Sequence, residues 1–291
     1  MMLPEAPALL IVNPAAGSAR QRRLAHALKL LEAGGCRIAV RATAARGDAE
    51  AFARNALAQG GYRAVIAAGG DGTINEVVNG LAGGRLPLGI LPLGTANVLA
   101  LELGLSRMRQ AVAALCRHEP RDIVLGRCND RYFTLMAGAG FDARVVAQLD
   151  PAEKKRLGRA AYGLQAFRCW RAGGLPVLRG LADGVPLVAA SLVLANGRHY
   201  GGPQIIAPEA DTDRADLIAC RFERGDRTAL LRLMTAFSLH RLHLSPLIER
   251  QPVRRVDLLE PAGEPVQADG DIIARLPVTI EADAARLPVL R

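Results

Sequence analysis

Three short segments concentrate the residues able to handle phosphate: "NPAAGS" at 13–18, "GGDGTINE" at 69–76 and "PLGTAN" at 92–97. Glycines such as Gly70 and Gly72 let backbone N–H groups approach phosphate oxygens with no Cβ in the way, and Thr73 and Thr95 add hydroxyl donors. A helix N-terminus after each loop would favour negative charge. Asp71 works against such a site on its own, because a carboxylate repels phosphate unless a proton or a divalent cation intervenes. Mg2+, held directly or through water, resolves that conflict. Neither G-x-x-x-x-G-K-[ST] nor a helix-opening G-x-G-x-x-G occurs, so the P-loop and the ordinary dinucleotide fingerprint do not apply. On the residues alone, a tight turn followed by a helix cap is the competing reading of "GGDGT".

The elements that must position these loops are legible from hydrophobic period. Short apolar runs precede each loop: "ALLIV" at 8–12, "RAVIAA" at 63–68 and "PLGILPL" at 87–93. From Ser18, a plausible N-cap, the pattern turns helical: Leu24, Ala27, Leu28 and Leu31 share a face, and Gly34-Gly35 supplies the stop. The strand "CRIAVRA" at 36–42 leads to a helix over 48–59, and further helices are predicted from about Thr73 and from about Ala96. Such alternation indicates parallel strands with crossover helices, where ligands bind at the C-terminal strand ends.

Beyond residue 123 the character changes. "DIVLGRCNDRYFTLMAGAGFDA" at 122–143 is followed by a basic helical stretch at 152–172, then "LVAASLVLANG" and "DLIACRFE", a helix over 227–242, and the strand-like "RVDLLE", "EPVQAD" and "IIARLPVTIE". Strands now succeed one another with few helices between, so the 291 residues divide into an α/β domain at 1–125 and a β-rich domain at 126–275, with the tail 276–291 packing back on the first.

The 37 basic and 28 acidic residues give a net charge of +9, which favours polyanionic partners such as nucleotides or anionic lipid surfaces. Aromatics are only 4%, and no basic cluster alternates with them as a base-stacking surface requires, which argues against nucleic acid. Five scattered cysteines with no C-x-x-C pair read as reduced structural thiols of a cytoplasmic protein. His240 and His243, three apart on the predicted helix, lack a third ligand nearby and read as ordinary helix residues. No segment approaches the ~18 apolar residues that span a bilayer, so membrane contact is expected to be peripheral. Two basic stretches suit it: Lys154, Lys155, Arg156, Arg159, Arg168 and Arg171, and eight arginines across 221–255 against three acids. Each cation near an anionic bilayer contributes about 1 kcal/mol, although a solvated helix face is the usual fate of such runs. An exposed strand edge would allow a homodimer.

"GGDGTINEVVNGL", with "LPLGTANVLALELGL" after it, resembles the diacylglycerol kinase catalytic-domain family, which includes bacterial lipid kinases and sphingosine and ceramide kinases and is distantly similar to NAD kinase. "IVNPAAGS", "TAARGDA", "AGAGFDA", "ANGRHYGG", "APEADTDRADL" and "VQADGD" extend the resemblance, in order, over nearly the whole chain. It implies an NAD-kinase-like three-layer α/β domain with a parallel sheet, then a β-sandwich domain, with ATP in the interdomain cleft. It also implies an ATP- and Mg2+-dependent kinase acting on diacylglycerol or a related lipid.

Residue by residue, the resemblance implies nucleotide contacts at Asn13, Thr43, Gly70, Gly72 and Thr73, with Thr95 and Asn97 lining the same site. It gives Asp71 the magnesium. The family's C-terminal "DGE" stands here as Asp269-Gly270-Asp271, which makes Asp269 the expected general base and Asp271 a nucleotide contact one methylene shorter than the family's glutamate. Taken alone, Asp-Gly is a common hairpin turn. A structural metal site of some bacterial members aligns at Asp213, where Arg214 and Ala215 depart from the pattern. Asp142 of "GFDA" matches a position near the acceptor headgroup in sphingosine-directed relatives; a turn carboxylate is the equal alternative. The rivals are an NAD kinase-like small-molecule kinase and a non-catalytic nucleotide- or lipid-binding regulator.

Overall fold

The computed structural model describes residues 6–14, 18–158 and 160–291; Ala15, Ala16, Gly17 and Arg159 lie outside the described residues, as do the side chains of Ser18, Lys154 and Lys155. The chain forms two compact units, Met1–Val124 with Ala285–Arg291, and Leu125–Ala284.

In the first unit the chain runs β1 (Ala8–Val12), α1 (Ser18–Ala33), β2 (Ile38–Ala42), α2 (Asp48–Gln59), β3 (Val65–Gly69), α3 (Asp71–Leu81), β4 (Leu88–Pro92), α4 (Val98–Glu102) and α5 (Met108–Arg117). The strands lie in the order β2-β1-β3-β4, all parallel. Residues β1, β3 and β4 are buried throughout, as expected for parallel strands covered on both faces. Leu10, Val12, Ile66, Ala68 and Leu91 pack with Ala27 and Leu31 of α1 and Leu115 of α5. The two-residue period then leaves Leu9, Ile11, Val65 and Ala67 for the opposite face, where α2 and α3 pack together. These are the three layers anticipated from the sequence.

The second unit begins within β5 (Pro120–Cys128) and continues with β6 (Arg131–Phe133), β7 (Met136–Ala139), α6 (Phe141–Ala147), α7 (Pro151–Leu157), α8 (Ala160–Ala172), β8 (Leu178–Ala182), β9 (Val185–Ala189), β10 (Ser191–Ala195), β11 (His199–Tyr200) and β12 (Gln204–Ile205). It continues with β13 (Leu217–Phe222), α9 (Arg227–Ser238), β14 (Ile248–Val253), β15 (Arg255–Glu260), β16 (Pro265–Ala268), β17 (Asp271–Arg275) and the start of β18 (Val278–Leu290). One antiparallel sheet has the order β14-β13-β10-β7-β16-β17. Facing it across a shared core are β8, β15 and residues 278–281 of β18, with Leu192, Leu194, Leu217, Val256, Leu258, Val266 and Ile280 all buried between the layers. The alternate residues Val193, Ile218 and Cys220 form a second cluster with Leu233 of α9 on the outer face. Both faces of this sheet are therefore apolar, and the β-sandwich follows.

Several boundaries differ from the sequence reading. The helix predicted from Ala96 is two helices, because the chain turns at Gly104, φ 72. A helix also follows "AGAG", where the sequence reading assigned no element. Gly140 adopts φ 97 there, and a Cβ would meet Ser191 Cα at 2.7 Å, so the reversal from β7 into α6 requires glycine. The helix predicted over 227–242 ends at Ser238, with His240 at φ 56 and His243 in a separate 3-10 turn, so the two histidines share no helix face.

Candidate active site

In the first unit, the "GGDGT" and "PLGTAN" loops leave neighbouring parallel strands and are bonded to each other. Gly69 O accepts from the N–H groups of Leu93 and Gly94, each at 3.0 Å. The Asp71 carboxylate receives the N–H of Asn97 at 3.0 Å and of Val98 at 2.6 Å. Its charge thus rests on the opening amides of α4, and it fixes one loop to the other. The side chain of Asn97, at φ 49, accepts from Gly94 N and donates to Gly94 O, both at 2.8 Å, closing its own loop.

Gly94 sits where the loops touch. A Cβ there would lie 2.4 Å from Gly70 Cα and 2.7 Å from Asn97 Oδ1, whereas one at Gly72 would meet nothing within 4 Å. Gly94→Ala is accordingly expected to lower stability by about 1–3 kcal/mol in thermal denaturation, because backbone has to move. Gly72→Ala should leave the melting curve in place, so any nucleotide affinity it loses reports contact with the ligand.

No side chain caps α3, whose N-cap is Gly70 in extended conformation, and this end of the helix favours an anion. Thr73 is half-buried over Gly69, and Thr95 is exposed. Asn13 follows β1 on the exposed side, its N–H on Ala68 O. Thr43 is buried, with backbone N–H and hydroxyl both directed at Val12 O. Next to it, Asp48 accepts from Ala45 and Ala44, bonds that hold its carboxyl below the usual carboxylate range.

Two further residues belong to this cluster. Arg20 Nη2 donates to Thr95 Oγ1 at 3.3 Å, and Arg23 Nη2 to Pro92 O at 2.9 Å. Their spacing on one helix face was visible in the sequence, but not that α1 brings them to the third loop. Glu76 accepts from Ala49 N in the first turn of α2, so the last residue of "GGDGTINE" serves the scaffold.

In the second unit, Asp269 holds the left-handed conformation, φ 47, between β16 and β17. Its Oδ2 accepts from Thr134 N at 2.8 Å and Thr134 Oγ1 at 2.9 Å; its Oδ1 accepts from Leu135 N at 3.0 Å and Met136 N at 3.2 Å. Asp271 opens β17, half-buried and paired with Ala268.

Asp142 lies in the first turn of α6, beside Gly138 of β7, with Oδ2 receiving Gln267 Nε2 at 2.9 Å. Gln267 is buried and its Oε1 accepts from Gly270 N at 3.0 Å, so one amide joins "GFDA" to "DGD". Burial pushes the Asp142 carboxyl up to about 6, against the Gln267 bond and the amides of Asp142 and Ala143, which lower it. Tyr200, edge-on to Phe237, has its phenol raised by burial and then by the Asp142 charge. Gln267 and Tyr200 carried no signal in the sequence beyond their place in quoted motifs.

Asp213 is exposed in a turn with its N–H on Asp211 Oδ1, and the adjoining Asp216 is taken by Arg214. Among the described residues no group of three or more His, Cys, Asp or Glu side chains is placed to hold a metal ion.

Residues 7–128 match the diacylglycerol kinase catalytic domain, and residues 136–291 the YegS C-terminal NAD kinase beta sandwich-like domain. A diacylglycerol kinase of Mycobacterium tuberculosis is 33% identical over 296 residues, covering 97% of this chain and 94% of the relative. A YegS-like protein of Pseudomonas putida is 39% identical over 176 residues; the match spans 59% of each, about three fifths of the relative's length. The crystal structure of a diacylglycerol kinase from Bacillus anthracis shares the fold, with TM-score 0.77 at 22% identity over 98% of this chain and 96% of that one. With its loops, its parallel sheet and its sandwich all accounted for, the chain belongs to the diacylglycerol kinase catalytic-domain family, in the YegS-like two-domain form.

Proposed function

We propose that the protein is a lipid kinase that transfers the γ-phosphoryl group of ATP to a hydroxyl of diacylglycerol or a related lipid. The observation that carries this reading is the joining of "GGDGT" to "PLGTAN" through Asp71, which holds uncapped glycine amides ready for phosphate in a chain of this family. Gly70, Gly72 and Thr73 offer donors to the nucleotide at the α3 N-terminus, Thr95 and Arg20 stand beside them, and Asn13 and Asp271 complete the contacts that the family resemblance implies. Thr43 and Asn97 act by shaping the loops, since their side chains bond Val12 and Gly94.

The donor set fits Mg2+. This ion keeps several waters and takes one or two carboxylates together with phosphate oxygens, and Asp71 is the carboxylate that these loops provide. When bound, Mg2+ offsets charge on the phosphoryl oxygens.

No helix of the described residues is long and apolar enough to cross a membrane. Peripheral docking of a cytoplasmic protein on an anionic surface is supported by α8, which exposes Leu164 and Phe167 beside Arg168 and Arg171, with Trp170 against Phe167 at 5.4 Å. A homodimer would find an open edge at β2, where Val40 is exposed.

The test is labelled ATP with Mg2+ and a mixed-micelle panel of diacylglycerol, monoacylglycerol, phosphatidylglycerol, sphingosine, ceramide and NAD. Label is expected in the lipid extract and lost with chelator. Label confined to NAD would transfer the assignment to an NAD kinase-like enzyme, and ATP binding without turnover would favour a regulator.

A further inference from the structure

The cysteines are scattered through the sequence, yet the fold brings two of them together within the first unit. Cys36 stands in the segment between α1 and β2, its N–H on Leu31 O at 2.9 Å, and Cys116 is in the last turn of α5. Their sulfurs lie 3.7 Å apart although 80 positions separate them in the chain. Gly34 makes the room, because a Cβ there would stand 2.5 Å from Cys116 Sγ. Both thiols are free.

Polar groups converge on the pair. Arg63 Nη2 donates to Cys36 Sγ and to Leu115 O, each at 3.4 Å, so a guanidinium adjoins one sulfur. Cys36, Arg63, Leu115 and His118 border a cavity of about 10 Å3, room for one water. Both His118 nitrogens and Arg63 Nε are shielded from solvent and find no hydrogen-bond partner among the described residues, so the wall is polar and suits water. Solvent reaches the pair from the other side, since Cys36 is buried and Cys116 only partly so. Burial, and then the contact with Cys36, raise the Cys116 thiol while the Arg63 charge opposes them, which makes it a slow nucleophile. Cys128 and Cys220 are buried in the second unit, and burial pushes each of those thiols up to about 12.

We propose that Cys36 and Cys116 are a redox modification site: hydrogen peroxide joins them in a reversible disulfide that clamps the end of α1 to α5. Cys116, the more accessible partner, attacks one peroxide oxygen. The O–O bond breaks, the other oxygen leaves as hydroxide, and with the thiol proton it becomes water, so Cys116 is left as a sulfenic acid. The Cys36 sulfur then attacks Cys116 Sγ, the S–O bond breaks, and the departing hydroxide takes the Cys36 proton as a second water. The two thiols lose two electrons and two protons, and one peroxide gains them. Arg63, against Cys36 Sγ, is placed to offset negative charge on that sulfur as it attacks. The sulfurs must approach by roughly 1.7 Å, a movement that side-chain rotation supplies. The bond would join two helices that serve the nucleotide loops, because α1 carries Arg20 and Arg23 to "PLGTAN" and α5 packs on β4, which leads into it.

The experiment treats the whole chain with hydrogen peroxide in the absence of denaturant, then blocks the remaining thiols with iodoacetamide under denaturing conditions and maps the peptides by mass spectrometry. A cross-linked pair containing Cys36 and Cys116 is expected, lighter by two hydrogens, monomeric on a non-reducing gel and removed by dithiothreitol. Oxidised wild type should melt about 5–10 °C above the reduced protein, because the bond closes a long loop of the unfolded chain. Cys36→Ser should show neither bond nor shift and should hold a sulfenic acid at Cys116 that dimedone labels, whereas Cys116→Ser should leave Cys36 unreacted. Alkylation of both residues after peroxide, or Cys116 carried on to sulfonic acid without a bridge, overturns the proposal, as does a bridge to another cysteine or to another copy. A bridge with no rise in melting temperature overturns the clamp. Should a serine variant not fold, the wild-type peptide map decides among these outcomes. None of them depends on a lipid being phosphorylated, so failure here leaves the kinase reading standing, and failure of that reading leaves this one.

Discussion

Asp269→Ala is expected to destabilise the protein by about 3–5 kcal/mol in urea-induced unfolding. Bonds to a charged acceptor contribute about 1.5–3 kcal/mol each and do not add fully, and the change deserts three backbone amides and a hydroxyl at once. Alanine also tolerates φ 47 poorly, at roughly 1 kcal/mol. Asp269→Asn separates the contributions, because asparagine accepts the left-handed conformation while its amide faces donors where the carboxylate accepted. It should recover part of the loss. Two variants that unfold with the wild-type midpoint would mean that this carboxylate anchors nothing.

The second large effect depends on pH. Asp142 is raised in the folded protein, from 3.8 to about 6, so the native state holds its proton more tightly than the unfolded chain does. Stability from this group is fully present below about pH 4 and is lost as the pH rises through about 6. The shift corresponds to about 3 kcal/mol. Asp142→Asn removes the buried charge and keeps an oxygen for Gln267, so at pH 8 it should be more stable than wild type by about 2–3 kcal/mol, with the two converging near pH 4. Urea titrations at both pH values read the difference directly. A gap of equal size at each would show that the carboxylate is solvated.

Much of the fold could be read from local pattern. "ALLIV" and the face of Leu24, Ala27, Leu28 and Leu31 became β1 and α1 because continuous burial and a 3.6-residue period are each set by neighbours in sequence. The break at Gly104 and the helix after Gly140 escaped because glycine permits a left-handed turn without announcing it. The site divides in the same way. Glycine, threonine and aspartate in "GGDGT" advertise phosphate chemistry, but that Asp71 also receives the amides of Asn97 and Val98 depends on a partner loop 26 and 27 positions away. Likewise nothing in "DGD" foretells that Asp269 clasps Thr134, 135 positions earlier. Such pairings are written by tertiary structure.

β18 leaves its partner β15 in the second unit and ends beside β4, with Val289 opposite Leu88 and Leu290 in the core of the first unit. During synthesis, then, the α/β unit emerges first yet waits for nearly the whole chain to leave the ribosome before its sheet gains this last strand. Until then the open flank of β4 is a place for chaperones, or for another nascent copy, to bind. A fragment stopping at residue 124 would keep that vulnerability for good, whereas fusing 285–291 to it by a short linker would remove it.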